Sequence, residues 1–237
     1  MLSRRLVLTG LGATSVAAFT PGALMAAPIK PDDASALIVI DVQNCFLPGG
    51  SLAVKDGDQV IPVINRLAKG FANVVLTQDW HTADHVSFAT SHSGKKPFDT
   101  VDLPYGKQVL WPDHCVQGTE GASLSKDLAI PHAGLVIRKG FNKNVDSYSA
   151  FTEADGKTST GLAAYLKARK LKRVFLAGLA TDYCVAWSAL DARKARFETY
   201  VIEDACRGID LQGSLAKAWA DMTKAGVKRI QSSDIAV

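Results

Sequence analysis

The chain alternates between short, continuously apolar runs and longer segments in which apolar residues recur every three or four positions. Because the short runs lack the in-and-out alternation of a strand with one wet face, they predict strands covered on both faces, as in a parallel sheet. Runs of this kind, the last of them weaker, lie at 36–40, 73–77, 135–137, 174–177, 199–202 and 227–230. The pattern therefore predicts a central sheet of about six strands.

The longer segments predict amphipathic helices between these strands. In 59–69, the side chains of Val60, Ile64 and Leu67 fall on one helical face. Further helices are predicted at 160–169, 182–194 and 213–224. Because alternating strands and helices form right-handed βαβ units, we expect an α/β fold, with a doubly wound, mainly parallel sheet and helices on both faces.

One region, 79–133, breaks this alternation and is rich in histidine, with several prolines and glycines. A long irregular segment in a compact domain is usually functional or disordered, and the histidine and aromatic content favours a functional one. In open α/β sheets, ligands bind beyond the carboxyl ends of the strands. The residues that follow the predicted strands are therefore the candidates for chemistry.

Composition narrows the class of protein. The 237 residues are 47% hydrophobic and 21% charged, which predicts one globular domain. The formal net charge is +4, but basic and acidic residues are interspersed, so no basic stripe indicates a nucleic-acid partner. After residue 30, no stretch approaches the roughly 20 apolar residues of a membrane span. We expect no nucleic acid and no membrane among the partners of the mature chain.

Residues 1–27 predict an export signal rather than part of the fold. Arg4 and Arg5 precede a mildly apolar run that reaches Phe19, and small residues follow. Paired arginines before a modestly hydrophobic run are typical of twin-arginine signals. The sequence thus predicts a cleaved signal, a periplasmic or otherwise exported location, and a mature domain at 28–237. The alternative is an unstructured N-terminus on a cytoplasmic protein.

Two ionisable residues follow the first and third predicted strands, Asp41 and Lys139. A carboxylate that closes a buried strand costs free energy unless it is paired, hydrogen-bonded or functional; the alternative is that Asp41 caps the next turn. A lysine at a strand end usually extends to solvent. Beside a buried aspartate, however, Lys139 would hold the carboxylate ionised and orient it.

The second predicted strand leads into Asp79 and His81. If the segment stays extended, these two side chains point the same way, and a carboxylate with an imidazole forms half of a site for a divalent metal. A third ligand must come from elsewhere, and the candidates are His85, His92 and His114. The same spacing also occurs in simple hydrogen-bonded turns.

The fourth predicted strand ends in small residues that lead to Cys184. Thr181 or Asp182 is a plausible N-cap and would place Cys184 in the first turn of the next helix. There, the helix dipole and free N–H groups lower the pKa of a thiol, and the N–H groups can hold an oxyanion. The alternative is a buried, inert cysteine.

The other three cysteines are also expected to be free thiols, because their scattered spacing is not that of a stapled scaffold; they are Cys45, Cys115 and Cys206. Asp41, Lys139 and Cys184 would meet at one edge of the sheet. There they supply a base, an orienting cation and a nucleophile, which is the arrangement of a covalent hydrolase.

These residues fall within longer blocks that run in order from about residue 36 to the C-terminus. The blocks are Asp41-Val42-Gln43-Asn44 with Phe46, Gln78-Asp79-Trp80-His81, 110–119, Lys139-Gly140, 146–151 and 178–185. In this order, they resemble the nicotinamidases (pyrazinamidases) of the isochorismatase-like hydrolases. The resemblance implies the isochorismatase-like hydrolase fold.

The resemblance also implies three groups of site residues. The catalytic triad would be Asp41, Lys139 and Cys184. The ligands of one divalent metal ion, zinc, iron or manganese, would be Asp79, His81 and His114, with His85 either a further ligand or a residue behind them. The substrate ring would lie between Phe46 and Trp111, and Tyr183 would line the pocket.

By the same resemblance, the backbone N–H groups of Ala180 and Cys184 would form an oxyanion hole, helped by a cis peptide between Leu179 and Ala180. The implied reaction is hydrolysis of nicotinamide, and also of pyrazinamide, through a Cys184 thioester. The alternatives are a metal-independent N-carbamoyl amidohydrolase and a periplasmic binding protein without turnover. Oligomeric state is open, and a homo-oligomer is compatible with the sequence.

Two features depart from the family pattern. Cys45 occupies a position where many members have aspartate, and we expect only a modest change at the pocket rim. The predicted export signal is the second departure, because members of this family usually act in the cytoplasm.

Overall fold

Six strands form the central sheet of the computed structural model, which describes residues 27–237. They are β1 (Ser35–Ile40), β2 (Val74–Asp79), β5 (Leu135–Lys139), β6 (Arg173–Leu179), β7 (Glu198–Arg207) and β8 (Lys228–Ile230). Two short strands, β3 (Thr100–Leu103) and β4 (Gly106–Val109), form a separate hairpin. The α-helices are α1 (Val60–Ala68), α2 (Leu162–Ala168), α3 (Ala186–Lys194) and α4 (Ser214–Lys224).

The central sheet has the strand order β5-β2-β1-β6-β7-β8, and all of its neighbouring strands run parallel. The predicted α/β fold with a parallel sheet is confirmed. The first strand, β1, lies in the middle of the sheet. The next strands, β2 and β5, lie progressively towards one edge, and the chain then crosses back to place β6 on the other side of β1. Because the winding direction reverses between β1 and β6, a ligand crevice is expected beyond the carboxyl ends of these strands.

The two faces of the sheet carry separate apolar cores, and β1 shows why. Leu37 and Val39 point to one face, and the alternate residues Ala36, Ile38 and Ile40 point to the other. Helix α1 packs with the first set, whereas α2, α3 and α4 pack with the second. Each buried aliphatic side chain stabilises the fold by about 1.5–3 kcal/mol. The prediction of helices on both faces is confirmed.

Gly178 lies in β6, where that strand meets the end of β1. Its φ is +123°, and a Cβ added there would lie 2.1 Å from the carbonyl oxygen of Ile40. Gly178 and Ile40 are also register partners in the sheet. The close approach of β1 to β6, which carries the chain towards Asp41 and Cys184, therefore requires glycine.

We expect Gly178→Ala to lower the free energy of unfolding by about 2–4 kcal/mol, because a backbone clash adds to an unfavourable φ. Gly156→Ala is the matched control, since Gly156 has a positive φ (+68°) but nothing within 4 Å of an added Cβ. Urea unfolding followed by circular dichroism measures both variants. Equal losses would show that the approach of β6 to β1 does not impose the glycine.

The hairpin of β3 and β4 lies within the irregular region 79–133 and was not indicated by the sequence. Its register runs from Thr100 opposite Val109 to Leu103 opposite Gly106. Most of its residues are exposed or half-buried. The hairpin therefore has no fully buried face. In β3, the half-buried Val101 and Leu103 alternate with exposed polar residues, but β4 shows no such alternation.

Two of the cysteines predicted to be free are paired. Cys45 and Cys115 form a disulfide, with 5.7 Å between their Cα atoms, so the prediction of free thiols is wrong for this pair. Cys184 and Cys206 are free and buried. The cysteines meet because part of the irregular region folds back over the segment after β1, where Gln43 pairs with Leu124. A separation of 70 residues gave no sign of this contact.

The predicted export signal at 1–27 lies outside the described residues, apart from Ala27. The beginning of the described chain pairs with its end, since Ile29 N–H donates to the Asp234 carbonyl (2.7 Å) and Ala236 N–H donates to the Ile29 carbonyl (3.0 Å). Among the described residues, none of the helices combines the length and the apolar character needed to cross a bilayer.

Candidate active site

The carboxyl ends of four adjacent strands bring the candidate residues together. Asp79 and Lys139 are register partners at the ends of β2 and β5. Asp41 directly follows β1, with a positive φ of 49°. Strand β6 leads through a π-helical turn, Thr181–Val185, to Cys184. The expected meeting of Asp41, Lys139 and Cys184 at one sheet edge is confirmed.

The Lys139 side chain is wholly buried and lies between two carboxylates. Its Nζ is 2.8 Å from Oδ2 of Asp41 and 2.5 Å from Oδ1 of Asp79. It also donates a hydrogen bond to the Ser147 carbonyl (2.9 Å) and lies 3.4 Å from Sγ of Cys184. Burial would lower the pKa of Lys139, but the two aspartates raise it well above its usual value. Lys139 therefore pairs with buried acid and does not extend to solvent.

The Asp41 carboxylate is buried and held from two sides. The Thr77 hydroxyl donates a hydrogen bond to Oδ1 of Asp41 (2.5 Å), and Oγ1 of Thr77 accepts one from the Asp41 N–H (3.1 Å). Burial raises the pKa of Asp41, although the charge of Lys139 opposes the rise. A carboxylate with a raised pKa is a better proton acceptor. Asp41 is thus suited to be a base, and its side chain does not cap the next turn.

Cys184 is buried and faces the two carboxylates. Its Sγ, one oxygen of Asp41 and one oxygen of Asp79 all lie within 4.8 Å of one another. Burial raises the pKa of the thiol well above its usual value; Lys139 opposes this effect, and the two aspartates add to it. The prediction of a lowered thiol pKa is therefore wrong, because desolvation and neighbouring acids dominate. Cys184 rests as a thiol and needs a base to react.

Neither Thr181 nor Asp182 caps the helix with its side chain, contrary to the sequence-based expectation. The Asp182 carboxylate is engaged elsewhere. It accepts hydrogen bonds from the N–H groups of Ile209 (2.9 Å) and Asp210 (2.8 Å) and from the hydroxyl of Ser214. Asp182 thereby ties the π-helical turn to the segment between β7 and α4, which contributes Ile209 to the pocket.

Asp79, His81 and His114 form a buried cluster beside the thiol. Nδ1 of His81 lies 2.9 Å from the Gly140 carbonyl oxygen, and Nδ1 of His114 lies 2.8 Å from that of Pro112. A ring nitrogen that faces a carbonyl carries the proton, which leaves Nε2 of each ring as a lone-pair donor. These two atoms lie 3.6 and 3.9 Å from Oδ2 of Asp79. One carboxylate and two such imidazoles fit a divalent metal ion.

The ionisation of Asp79 and His114 also suits a cation. Burial alone would raise the pKa of Asp79, but Lys139 and His81 outweigh it and hold the pKa below its usual range. Burial lowers the pKa of His114 to about 4. An ionised carboxylate and a neutral imidazole are the forms that bind metal. At His81, burial would lower the pKa but Asp79 raises it, so a metal ion competes there with a proton.

His114, rather than His85 or His92, completes the cluster with Asp79 and His81. Nδ1 of His85 lies 2.7 Å from a serine hydroxyl and its Nε2 lies 3.3 Å from a backbone carbonyl, while burial lowers its pKa to about 4. Nε2 of His92 lies 2.7 Å from a backbone carbonyl. His85 also groups with His81 and Asp146, and one potential ligand atom from each of the three lies within 4.8 Å of the others. Both predicted roles of His85, as a further ligand and as a residue behind the cluster, therefore stay predictions.

Gly140 has a φ of +66° and supports His81 from beside the ring; a Cβ there would lie 2.5 Å from Cε1. We expect Gly140→Ala to weaken the binding of a divalent metal ion at this cluster roughly 10–100-fold, as the loss of a ligand's support usually does. Equilibrium dialysis measures the dissociation constant, and Gly156→Ala serves again as the variant with open space at a positive φ. Unchanged affinity would show that Gly140 does not position the imidazole.

A narrow pocket with a cavity volume of about 20 Å³ adjoins Cys184. Its apolar and aromatic walls are Phe46, Leu52, Trp111, Tyr148, Tyr183 and Ile209. Trp111 donates from Nε1 to the Tyr148 hydroxyl (3.0 Å) and meets Tyr183 edge-on, with 4.8 Å between ring centroids. Aromatic walls of this kind suit a flat, apolar ring. Phe46, Trp111 and Tyr183 all line this pocket, and their contact with a substrate ring remains a prediction.

The peptide between Leu179 and Ala180 is cis, as expected. Ala180 and Cys184 both line the pocket. An oxyanion hole formed by their N–H groups remains a prediction.

Sequence reasoning gave no role to several residues that contact the site. Thr77 donates a hydrogen bond to the Asp41 carboxylate. The Gln43 side chain accepts a hydrogen bond from the Asp79 N–H (2.8 Å) and donates one to the Asp79 carbonyl (2.9 Å). Asp146 and Tyr148 line the pocket. A signal existed for Thr77, which lies two residues before Asp79 and so on the same face of β2.

Comparison with known proteins identifies the protein family of this chain. Residues 35–234 match the isochorismatase domain family. This chain belongs to that family.

Within the family, the chain is similar to several individual nicotinamidases and pyrazinamidases. The chain is 58% identical over 209 residues to the nicotinamidase of Acinetobacter baylyi, covering 88% of this chain and 98% of the relative. A solved nicotinamidase and pyrazinamidase from Acinetobacter baumanii superposes with a TM-score of 0.85 at 61% identity, covering 86% of this chain and 98% of that one. The pyrazinamidase of Pyrococcus horikoshii, solved in complex with zinc, superposes with a TM-score of 0.68 at 35% identity, covering 84% and 99%.

Proposed function

We propose that this chain is a nicotinamidase, a hydrolase that converts nicotinamide to nicotinate and ammonia and also accepts pyrazinamide. The observation that carries the proposal is the meeting of Asp41, Lys139 and Cys184 in a small aromatic pocket, directly beside a carboxylate–imidazole cluster. The 58% identity to a nicotinamidase over nearly the whole relative supports the same substrate.

In the proposed reaction, Asp41 takes the proton of the Cys184 thiol, and the thiolate forms a bond with the carboxamide carbon. The N–H groups of Ala180 and Cys184 hold the resulting oxyanion. Asp41 gives its proton to the amide nitrogen, the carbon–nitrogen bond breaks and ammonia leaves. Water then attacks the thioester, its proton returns through Asp41 to the sulfur, and nicotinate is released.

Asp79, His81 and His114 would hold one divalent metal ion. Zinc, iron and manganese all suit this donor set, and the zinc complex of the Pyrococcus relative favours zinc. When bound, the ion supplies a Lewis-acid anchor for the ring nitrogen of the substrate. Phe46 and Trp111 would flank the ring.

Two other functions were compatible with the sequence. The buried cluster of Asp79, His81 and His114 has no purpose in a metal-independent N-carbamoyl amidohydrolase. A binding protein without turnover needs no thiol, base and lysine within contact distance, yet Lys139 touches Asp41 and approaches Cys184. Both observations favour the nicotinamidase.

Ammonia release from nicotinamide, pyrazinamide and an N-carbamoyl amino acid, with metal-loaded and chelated protein, tests the proposal. We expect turnover of the two heteroaromatic amides, loss of that turnover on chelation, and its return when zinc is added. Turnover of the N-carbamoyl amino acid alone, indifferent to chelation, would refute the proposal. No ammonia from any of the three would support a binding protein.

We further propose that the protein is exported, on the strength of Arg4 and Arg5 in the predicted signal. The Cys45–Cys115 pair supports this proposal, because structural disulfides persist mainly in oxidising compartments. Fusion of residues 1–30 to a reporter tests it, and a reporter that stays wholly in the cytoplasm would contradict it.

A further inference from the structure

A disulfide joins two walls of the active-site pocket. Cys45 directly precedes Phe46, and Cys115 directly follows His114. The rings of Phe46 and His114 contact each other, with 5.5 Å between centroids. The covalent bond therefore lies one residue from a wall that would flank the substrate and one residue from a proposed metal ligand.

Cys115 has a second link to the metal cluster. Its carbonyl accepts a hydrogen bond from the N–H of His81 (3.1 Å). Its φ is +45°, a conformation that residues with a side chain adopt only when their surroundings hold them there. The position of Cys115 thus affects both imidazoles of the cluster.

The nucleophile and its base are supported from other elements. Asp41 is held by Thr77 of β2 and by Lys139 of β5, and Lys139 is fixed in turn by the Ser147 carbonyl. Cys184 sits on the turn after β6. The disulfide is therefore placed to act on the binding groups and not on the reacting ones.

We propose that the Cys45–Cys115 disulfide is a positioning device, which holds Phe46 against His114 and so sets the affinity for metal and substrate without altering the chemical step. Its substrate part rests on the proposed nicotinamidase function. When the bond is absent, the two walls keep only non-covalent contacts. Metal then binds more weakly and KM rises, while kcat stays nearly unchanged.

The same bond makes the site responsive to thiol–disulfide exchange. A thiolate of a dithiol reductant attacks one sulfur of the pair and releases the other as a thiolate, and the second thiol of the reductant then closes its own disulfide. Two electrons pass to the pair, and Cys45 and Cys115 each take up a proton. Both cysteines are about 1% exposed, so exchange needs a local opening, and substitution is the cleaner test.

The test compares full-length Cys45→Ser/Cys115→Ser with Cys206→Ser, a matched control that also changes a buried cysteine but lies outside the pair. Equilibrium dialysis gives the zinc dissociation constant, and ammonia release from nicotinamide gives kcat and KM. We expect zinc affinity and KM to worsen roughly 10-fold in the double variant, with kcat within about 2-fold. The Cys206→Ser variant should match the wild type.

A thiol count in denaturant checks the pairing itself. Wild-type protein purified in air without reductant should show two thiols, and four after treatment with dithiothreitol. Four thiols before treatment, or an unchanged zinc affinity and KM in the double variant, would overturn the proposal, as would a loss confined to kcat. If the double variant does not fold, native wild-type protein reduced with dithiothreitol replaces it, with the same outcomes. A wild type that binds zinc but releases no ammonia would refute the proposed function alone.

Discussion

Cys184→Ala is expected to abolish ammonia release from nicotinamide, by roughly 10⁴-fold or more, and to leave the bound metal in place. The sulfur is the atom that attacks the carboxamide in the proposed reaction. It lies 3.4 Å from Nζ of Lys139, and its loss removes the nucleophile while the three residues of the metal cluster, Asp79, His81 and His114, all remain. Steady-state kinetics and metal analysis of the same preparation measure both effects.

Cys206→Ala is the control for this substitution, because Cys206 is the other free, buried cysteine among the described residues. It should retain wild-type turnover. Turnover by Cys184→Ala comparable to that of the wild type would refute the covalent scheme. Loss of metal together with activity would instead mean that Cys184 helps to hold the ion.

Lys139→Met is expected to abolish activity and to lower the free energy of unfolding by about 3–5 kcal/mol. The substitution leaves Asp41 and Asp79 buried beside each other without the cation that contacts both. Because burial already raises the pKa of Asp41 and Lys139 opposes that rise, losing the lysine raises the pKa further. A higher pKa increases the protonated share of Asp41, and a protonated carboxylic acid cannot accept the thiol proton.

Two comparisons make this result specific. Lys107→Met also removes a lysine paired with an aspartate, but that pair, Lys107 with Asp102, is exposed, so stability should hardly change. Asp41→Asn combined with Lys139→Met removes one of the two facing charges, so stability should recover in part while activity stays absent. Urea unfolding of chelated protein and ammonia release measure these outcomes. Equal stability of Lys139→Met and Lys107→Met would contradict the buried pairing.

The fold could be predicted well because strands that are buried on both faces of a sheet consist of continuous runs of apolar residues. The run at 36–40 matches β1 (Ser35–Ile40) to within one residue. Strand β7 is longer than its apolar core suggested. It continues through Glu203 and Asp204, and its pairing with β6 shifts register between Leu176 and Gly178. Polar residues in a strand carry no hydrophobic signal, so its full length was not predictable.

Some residues of the active site could be predicted from their position in the sequence, but their contacts and pKa values depend on tertiary packing. Asp41 and Lys139 stood out because each is an ionisable residue that follows an apolar run. The contact of Lys139 with both Asp41 and Asp79 depends on the strand order β5-β2-β1, which the sequence did not determine. The raised pKa of Cys184 depends on burial from every side, and a local view of one helix end gave the wrong sign.

The parallel pairing of β1 with β6 also has a consequence for the order of events during synthesis. Asp41 follows β1, and Cys184 follows β6, its neighbour in the sheet but far along the chain. Long-range pairing of parallel strands is slow to form, and it cannot begin here before residues 173–179 have left the ribosome. Every nascent chain therefore carries Asp41 on an unfinished sheet, without the Cys184 thiol beside it, until at least three quarters of the polypeptide has been made.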